Sequence, residues 1–158
     1  MESIRIPQRQ VDVRVKIFGG QELNGLMYVP ETGPDGGPGR LLERLNLEEQ
    51  MFIPLTAGDK THLVQRDQIL LIRVDDEAEE DAEDAIAEDE TYRHLEVRVR
   101  LTSGDTFTGS LFYKLPPDQE RLQDYLNLER RRFIPLHVDR LVYLNRFHIV
   151  SAQAIEGE

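Results

Sequence analysis

Residues 40–55, RLLERLNLEEQMFIPL, align without a gap on residues 121–136, RLQDYLNLERRRFIPL, and ten of the sixteen positions are identical. Self-similarity of this kind restricts the chain to architectures that use one unit twice. Upstream, VDVRVKIFGGQELNGLMYV (11–29) matches LEVRVRLTSGDTFTGSLFY (95–113), pairing Val13 with Val97, Arg14 with Arg98, Gly20 with Gly104 and Gly25 with Gly109. Downstream, HLVQRDQIL (62–70) matches VYLNRFHIV (142–150), with Arg66 on Arg146 and Ile69 on Ile149. The register slips in the loop after the second strand-like run and by one residue before the last hairpin, where insertions cost least. The expected organisation is a first unit at 1–74, a linker at 75–90 and a second unit at 91–158.

Charge sharpens these boundaries. Residues 1–74 carry 9 basic and 10 acidic side chains, residues 75–90 carry none and 11, and residues 91–158 carry 10 and 9. The net charge of −11 therefore resides in the linker, and it does not argue against an anionic partner for either unit. The linker, DDEAEEDAEDAIAEDE, has too little apolar surface to offset the entropy of ordering and no cation for i,i+4 pairing. A disordered spacer is the expectation, weighed against an Ala/Glu helix.

Cysteine is absent, which excludes disulfides, thiolate zinc sites and a Cys nucleophile. No apolar run approaches the roughly 20 residues that span a bilayer, and the first ten residues lack the apolar core of a secretory signal. A soluble, cytoplasmic protein without a membrane partner is expected.

Within each unit, Val11, Val13, Val15 and Ile17 alternate with polar residues, as do Leu95, Val97, Val99 and Leu101, the two-residue period of a half-buried strand. Residues 18–21 and 102–105 supply tight glycine turns into a second antiparallel strand. Gly25 and Gly109 fall inside that strand, where a glycine marks a sharp bend or the close approach of another backbone. Short helices are expected near 40–45 and 119–126, with Asn46 and Asn127 as left-handed caps. Pro54 and Pro135 predict edge or bulged third strands. A closing hairpin through Arg66 and Arg146 gives five short strands per unit. Units of about 60 residues are marginal alone, so the copies are expected to share an interface with each other or across a homo-oligomer.

Catalysis makes stricter demands, and no nucleophile with its base and no separated acid–base pair stands out. The four histidines, His62, His94, His137 and His148, lack metal-ligand spacing. No metal, cofactor or catalytic residue is assigned. Arg130, Arg131 and Arg132 form the one dense basic spot, a candidate anion or partner site to set against an ordinary solvated loop. The acidic linker folding back onto this cluster is a further expectation.

The order of strand, glycine turn, strand bent at a glycine, and a final pair joined through an Arg before an Ile resembles the Sm-like variety of small SH3-type barrel. That resemblance implies a mainly β fold of two tandem five-stranded barrels, each with a short inserted helix. It also implies an RNA site, for which Asp124, Asn127 and Arg146 stand in matching places, although Glu43 replaces the acid in the first copy. Asp67 and Phe147 replace the glycine that would follow the arginine. The combination RLxDxLN, FIPL and an Asn-Arg hairpin resembles an uncharacterised bacterial domain family. The leading expectation is a non-enzymatic bacterial regulatory or scaffolding module that binds protein and self-associates, with an RNA-binding protein as the alternative.

Overall fold

The computed structural model describes residues 7–156. Residues 1–6 and 157–158, which the expected units include, lie outside the described residues. Strands β1 (Gln8–Ile17) and β2 (Glu22–Pro30) form a hairpin, and α1 (Leu41–Leu45) follows. Next come β3 (Phe52–Ala57), β4 (Lys60–Gln65), a 3-10 turn at Arg66–Gln68 and β5 (Ile69–Asp75). After α2 (Glu77–Glu88) the series repeats as β6 (Arg93–Leu101), β7 (Thr106–Tyr113), α3 (Leu122–Leu128), β8 (Phe133–His137), β9 (Leu141–Asn145) and β10 (Ile149–Glu156). The expectation of a mainly β chain with short inserted helices is met. No helix among the described residues is long and apolar enough to cross a membrane.

The sequence leads one to expect two separate units, whereas the structure has one antiparallel, unclosed sheet in the order β10-β6-β7-β8-β9-β5-β1-β2-β3-β4. Each half repeats the same internal order. What joins them is β9 pairing with β5, with Leu71 opposite Leu144, Ile72 opposite Tyr143 and Arg73 opposite Val142. The expected shared interface is therefore built into the sheet.

Local chemistry explains the strand path. Val11, Val13 and Val15 point into the core while Asp12 and Arg14 face out, so a one-residue slip would expose the whole apolar set. Gly19, Gly20 and Gly104 take positive φ in the hairpin turns. At Gly25 a Cβ would lie 2.2 Å from the Thr56 carbonyl oxygen, and at Gly109 it would lie 2.6 Å from that of His137. These glycines let the third strand of each half cross close to the second. Pro54 and Pro135 sit within interior strands rather than at an edge, because the β2–β3 and β7–β8 ladders reduce to single bridges, Leu26–Thr56 and Ser110–His137. A missing N–H costs no ladder bond there.

The register of β5 on β1 skips Leu70, since Lys16 opposes Leu71 and Ile17 opposes Ile69. The register of β10 on β6 skips Val150 in the same way. A bulge re-aims its extra side chain. Leu70 and Leu71, though from the first half, pack in the second hydrophobic core, while Phe133, Leu141 and Tyr143 from the second half pack in the first. Each such aliphatic or aromatic side chain stabilises by about 1.5–3 kcal/mol on burial, so the halves exchange part of their cores.

The linker departs from expectation: residues 77–88 are a helix, not a disordered spacer. Asp76 caps it by accepting a hydrogen bond from the Glu79 N–H at 3.0 Å, and acidic residues in the first turn favour the positive helix end. Its like-charge repulsion is relieved by cations far away in sequence. The cap expectations are corrected as well, because Asn46 has φ −95° rather than a left-handed value and Asn127 lies inside α3.

Candidate functional site

Two kinds of surface stand out, one closed and one open. At the closed junction, α2 acts as a strap across both halves. Glu79, fully buried, accepts hydrogen bonds through Oε1 from the backbone N–H groups of Leu41 (3.0 Å) and Leu42 (3.3 Å) and from the Tyr143 hydroxyl (2.7 Å). Its Oε2 lies 2.6 Å from Arg9 and 3.3 Å from Arg40. Arg9 also binds Asp76 at 2.8 Å, and Arg40 binds Glu83 at 3.0 Å. His137 stands 3.6 Å from Glu83.

These partners shift ionisation in a consistent way. Burial alone would raise the Glu83 carboxyl, but the neighbouring His137 and the hydrogen bond and charge of Arg40 hold it below the ordinary value. Burial opposes the charged form of Arg40, yet its bond to Tyr143 and the charge of Glu79 raise its pKa overall. Burial and the neighbouring Glu79 charge push Tyr143 upward, so it stays a neutral donor. Glu79 and Glu83 are thus engaged inside the fold.

Further contacts cross the same junction. The Asn46 amide donates to the Phe133 carbonyl at 3.1 Å, and its oxygen accepts from the Phe133 N–H at 2.8 Å. Buried Asn145 donates to the Ile69 carbonyl at 2.9 Å. Arg132 binds Asp67 at 2.6 Å, and Lys16 binds Asp105 at 2.5 Å.

The open surfaces are the two sheet edges, β4 and β10. On or beside these edges, apolar side chains stand in solvent whose repeat counterparts are buried. Phe52 is 52% exposed against 0% for Phe133, Leu63 is 69% against 0% for Tyr143, and Val150 is 61% against 0% for Leu70. Met51 and Phe147 are also exposed. Strand β10 carries no charged residue before its last position, so charge does not guard this edge and only its bulges do.

The sequence-derived candidates lie apart from this surface or have structural partners. Asp124 accepts from the backbone N–H of Arg121 at 3.2 Å, closing the first turn of α3. Arg146 donates to the carbonyls of Arg131 (2.9 Å) and Leu126 (3.4 Å), stapling the loop after α3. Its counterpart Arg66 staples the matching loop through the Leu47 carbonyl. Arg131 pairs with Glu129, which is held below its ordinary pKa by that arginine against the cost of burial. Arg132 is committed to Asp67 and stacks 4.3 Å from the Phe147 ring. Arg130 is exposed, as is Asn127. The linker does fold back, but its buried carboxylates engage Arg9 and Arg40 rather than the Arg130–Arg132 cluster.

A cleft of about 450 Å³ does bring Arg130 and Arg131 beside Tyr92, Phe112 and Lys114, with Lys114 4.4 Å over the Tyr92 ring. A larger cleft of about 900 Å³ lies along the junction and is lined by Arg14, Arg73 and Arg140 together with Asp12, Asp75 and Asp139. Its cations and carboxylates match in number, so it has no single sign with which to select a ligand.

Sequence reasoning did not anticipate one polar cluster. His94 Nε2 lies 2.9 Å from Glu96 and 3.1 Å from the Ser110 hydroxyl, and Ser110 also donates to Glu96. A nucleophile relay needs hydroxyl and carboxylate on opposite ring nitrogens, whereas here both meet one nitrogen. Among the described residues no group of three or more His, Cys, Asp or Glu side chains is placed to hold a metal ion.

Comparison with family models, curated proteins and solved structures yields no match to this chain.

Proposed function

We propose that the chain is a non-enzymatic interaction module, a scaffold of two Sm-like units whose working surfaces are the unpaired edges β4 and β10. One observation carries this reading: Phe52, Leu63 and Val150 are exposed where their repeat counterparts are buried in the core of the other half. An edge with free backbone N–H and C=O groups flanked by apolar side chains suits strand addition by a protein. The Sm-like reading is supported by the shared five-strand order of each half and by a second strand that passes close to the third at Gly25 and Gly109. Closure into a barrel is not required by it.

Capture from a native lysate tests this directly, with Leu63→Lys beside the wild type and nuclease added to half of each sample. Proteins retained by the wild type after nuclease, and lost by Leu63→Lys, are the expected result. The second reading, nucleic-acid binding, draws on the cleft where Tyr92 and Phe112 stand beside Lys114 and Arg130. It predicts loss of bound material on nuclease treatment and steep weakening with salt.

A further inference from the structure

We propose that the larger cleft along the junction binds a small zwitterion of dipeptide length, its ammonium held by Asp12 and Asp75 and its carboxylate by Arg14 and Arg73. The site lies on the interior strands β1 and β5 and does not depend on the reading of the sheet edges. All four side chains line the cleft, and all four are exposed. Its charges cancel in sum, yet they are sorted in space. The register of β1 on β5 sets Asp12 opposite Asp75 and, two residues further along, Arg14 opposite Arg73. Val13 and Val74, the pair between them, are buried on the other face. The cleft therefore has one end with two carboxylates and one with two guanidinium groups.

Such an arrangement works against the fold, because like charges directly opposite each other on neighbouring strands repel. Exchanging Asp12 with Arg14 would make both pairs attractive. The second half shows that the strands do not require these charges. There the places of Arg73 and Asp75 are taken by Gln153 and Ile155, so Arg98, the counterpart of Arg14, faces a neutral side chain. Glu96, the counterpart of Asp12, is occupied by His94 and Ser110. In the first half the repulsion is not relieved from elsewhere. Among the described residues the side chains of Asp12 and Arg14 make no ion pair or hydrogen bond. Arg73 lies 5.3 Å over the Phe107 ring, and its charge reaches only Asp105, which Lys16 already binds. Asp75 meets Arg140 at 3.2 Å in a pair open to solvent on both sides, the kind that opens at little cost.

Length selects the ligand. Two strand residues advance by about 6.6 Å, and the charges of an extended dipeptide lie a similar distance apart, since each residue spans about 3.3–3.6 Å. A single amino acid holds its charges too close together to reach both ends. Val138, half-buried in the β8–β9 loop, offers apolar surface to the ligand's side chains. A ligand of one sign is attracted at one end and repelled at the other, whereas a dipole laid along the strands is attracted at both.

The test is titration of the full chain with alanylalanine at low salt, followed by NMR chemical shifts. Saturable shifts confined to β1, β5 and residues 138–142 are the expected result. N-acetyl-alanylalanine, alanylalanine amide and free alanine should each bind at least tenfold more weakly. Arg14→Gln and Asp12→Asn should each lose binding at least tenfold while the urea midpoint stays at or above that of the wild type, because each variant removes one member of a repelling pair. A side chain that served only the fold would lower the midpoint and leave the shifts in place. No saturable shift at millimolar dipeptide, equal binding of any of the three control compounds, or undiminished binding by either variant overturns the inference.

Discussion

Phe133 and Phe52 occupy the same place in a repeated sequence, followed in both cases by Ile-Pro-Leu, yet one is fully buried and the other half in solvent. The difference lies in neighbours. Phe133 packs in the core of the first half against α1, with Asn46 bound to its main chain, whereas no element among the described residues takes that position over Phe52. The chain covers this face of the repeated unit once, at the junction, and leaves its counterparts exposed at both ends of the sheet. The lesson is that burial here belongs to the contact and not to the residue type.

This contrast can be broken most strongly at Glu79. Glu79→Ala would leave Arg9, Arg40 and the Tyr143 hydroxyl without their shared carboxylate, and urea denaturation should show a loss of about 3–5 kcal/mol. Glu88→Ala, at the far end of the same helix, should leave the midpoint nearly unchanged. A similar loss, about 3–5 kcal/mol, is expected for Phe133→Ala, whereas Phe52→Ala at dilute concentration should stay within about 0.5 kcal/mol of the wild type. Equal losses at the two positions would mean that the halves are not in unequal environments.

A smaller contrast separates Asn46 from Asn127. Asn46→Ala leaves both main-chain groups of Phe133 without partners and should cost about 1–3 kcal/mol, while Asn127→Ala should be silent in the monomer. The gentlest probe is pH. Because the Glu83 carboxyl is held below its ordinary value of 4.5 in the folded protein, its contribution is fully present above that value. It is lost as pH falls through the lowered folded value. Glu83→Gln should therefore be less stable than the wild type at neutral pH, and the gap should close in acid, as denaturation curves at several pH values would show.

Much of the fold was legible because its signals are local. Alternation at Val11 to Ile17, glycine turns and the glycines at 25 and 109 needed only a few neighbours to interpret. Helix α2 was not legible for the opposite reason, since its two buried acids, Glu79 and Glu83, are paired with Arg9 and Arg40, dozens of residues upstream. The continuous sheet was also hidden, because β9 and β5 come from different halves. The recurrence of Arg66 and Arg146 was legible but their role was not: the resemblance put Arg146 in a candidate RNA site, whereas both arginines staple loops through main-chain carbonyls. The more informative signal was a difference between the copies: Met51 and Phe147 against Arg132 and Asp67, two positions that change character together and that the folded chain brings to one junction.

Amide hydrogen exchange tests most directly whether matching strands of the repeat sit in unequal environments. Outward amides of the edge strands β4 and β10 should exchange fast in the dilute chain, and those of β9 and β5 slowly, since these two strands pair at the junction. Equal rates in the edge strands and in the junction strands would contradict the account.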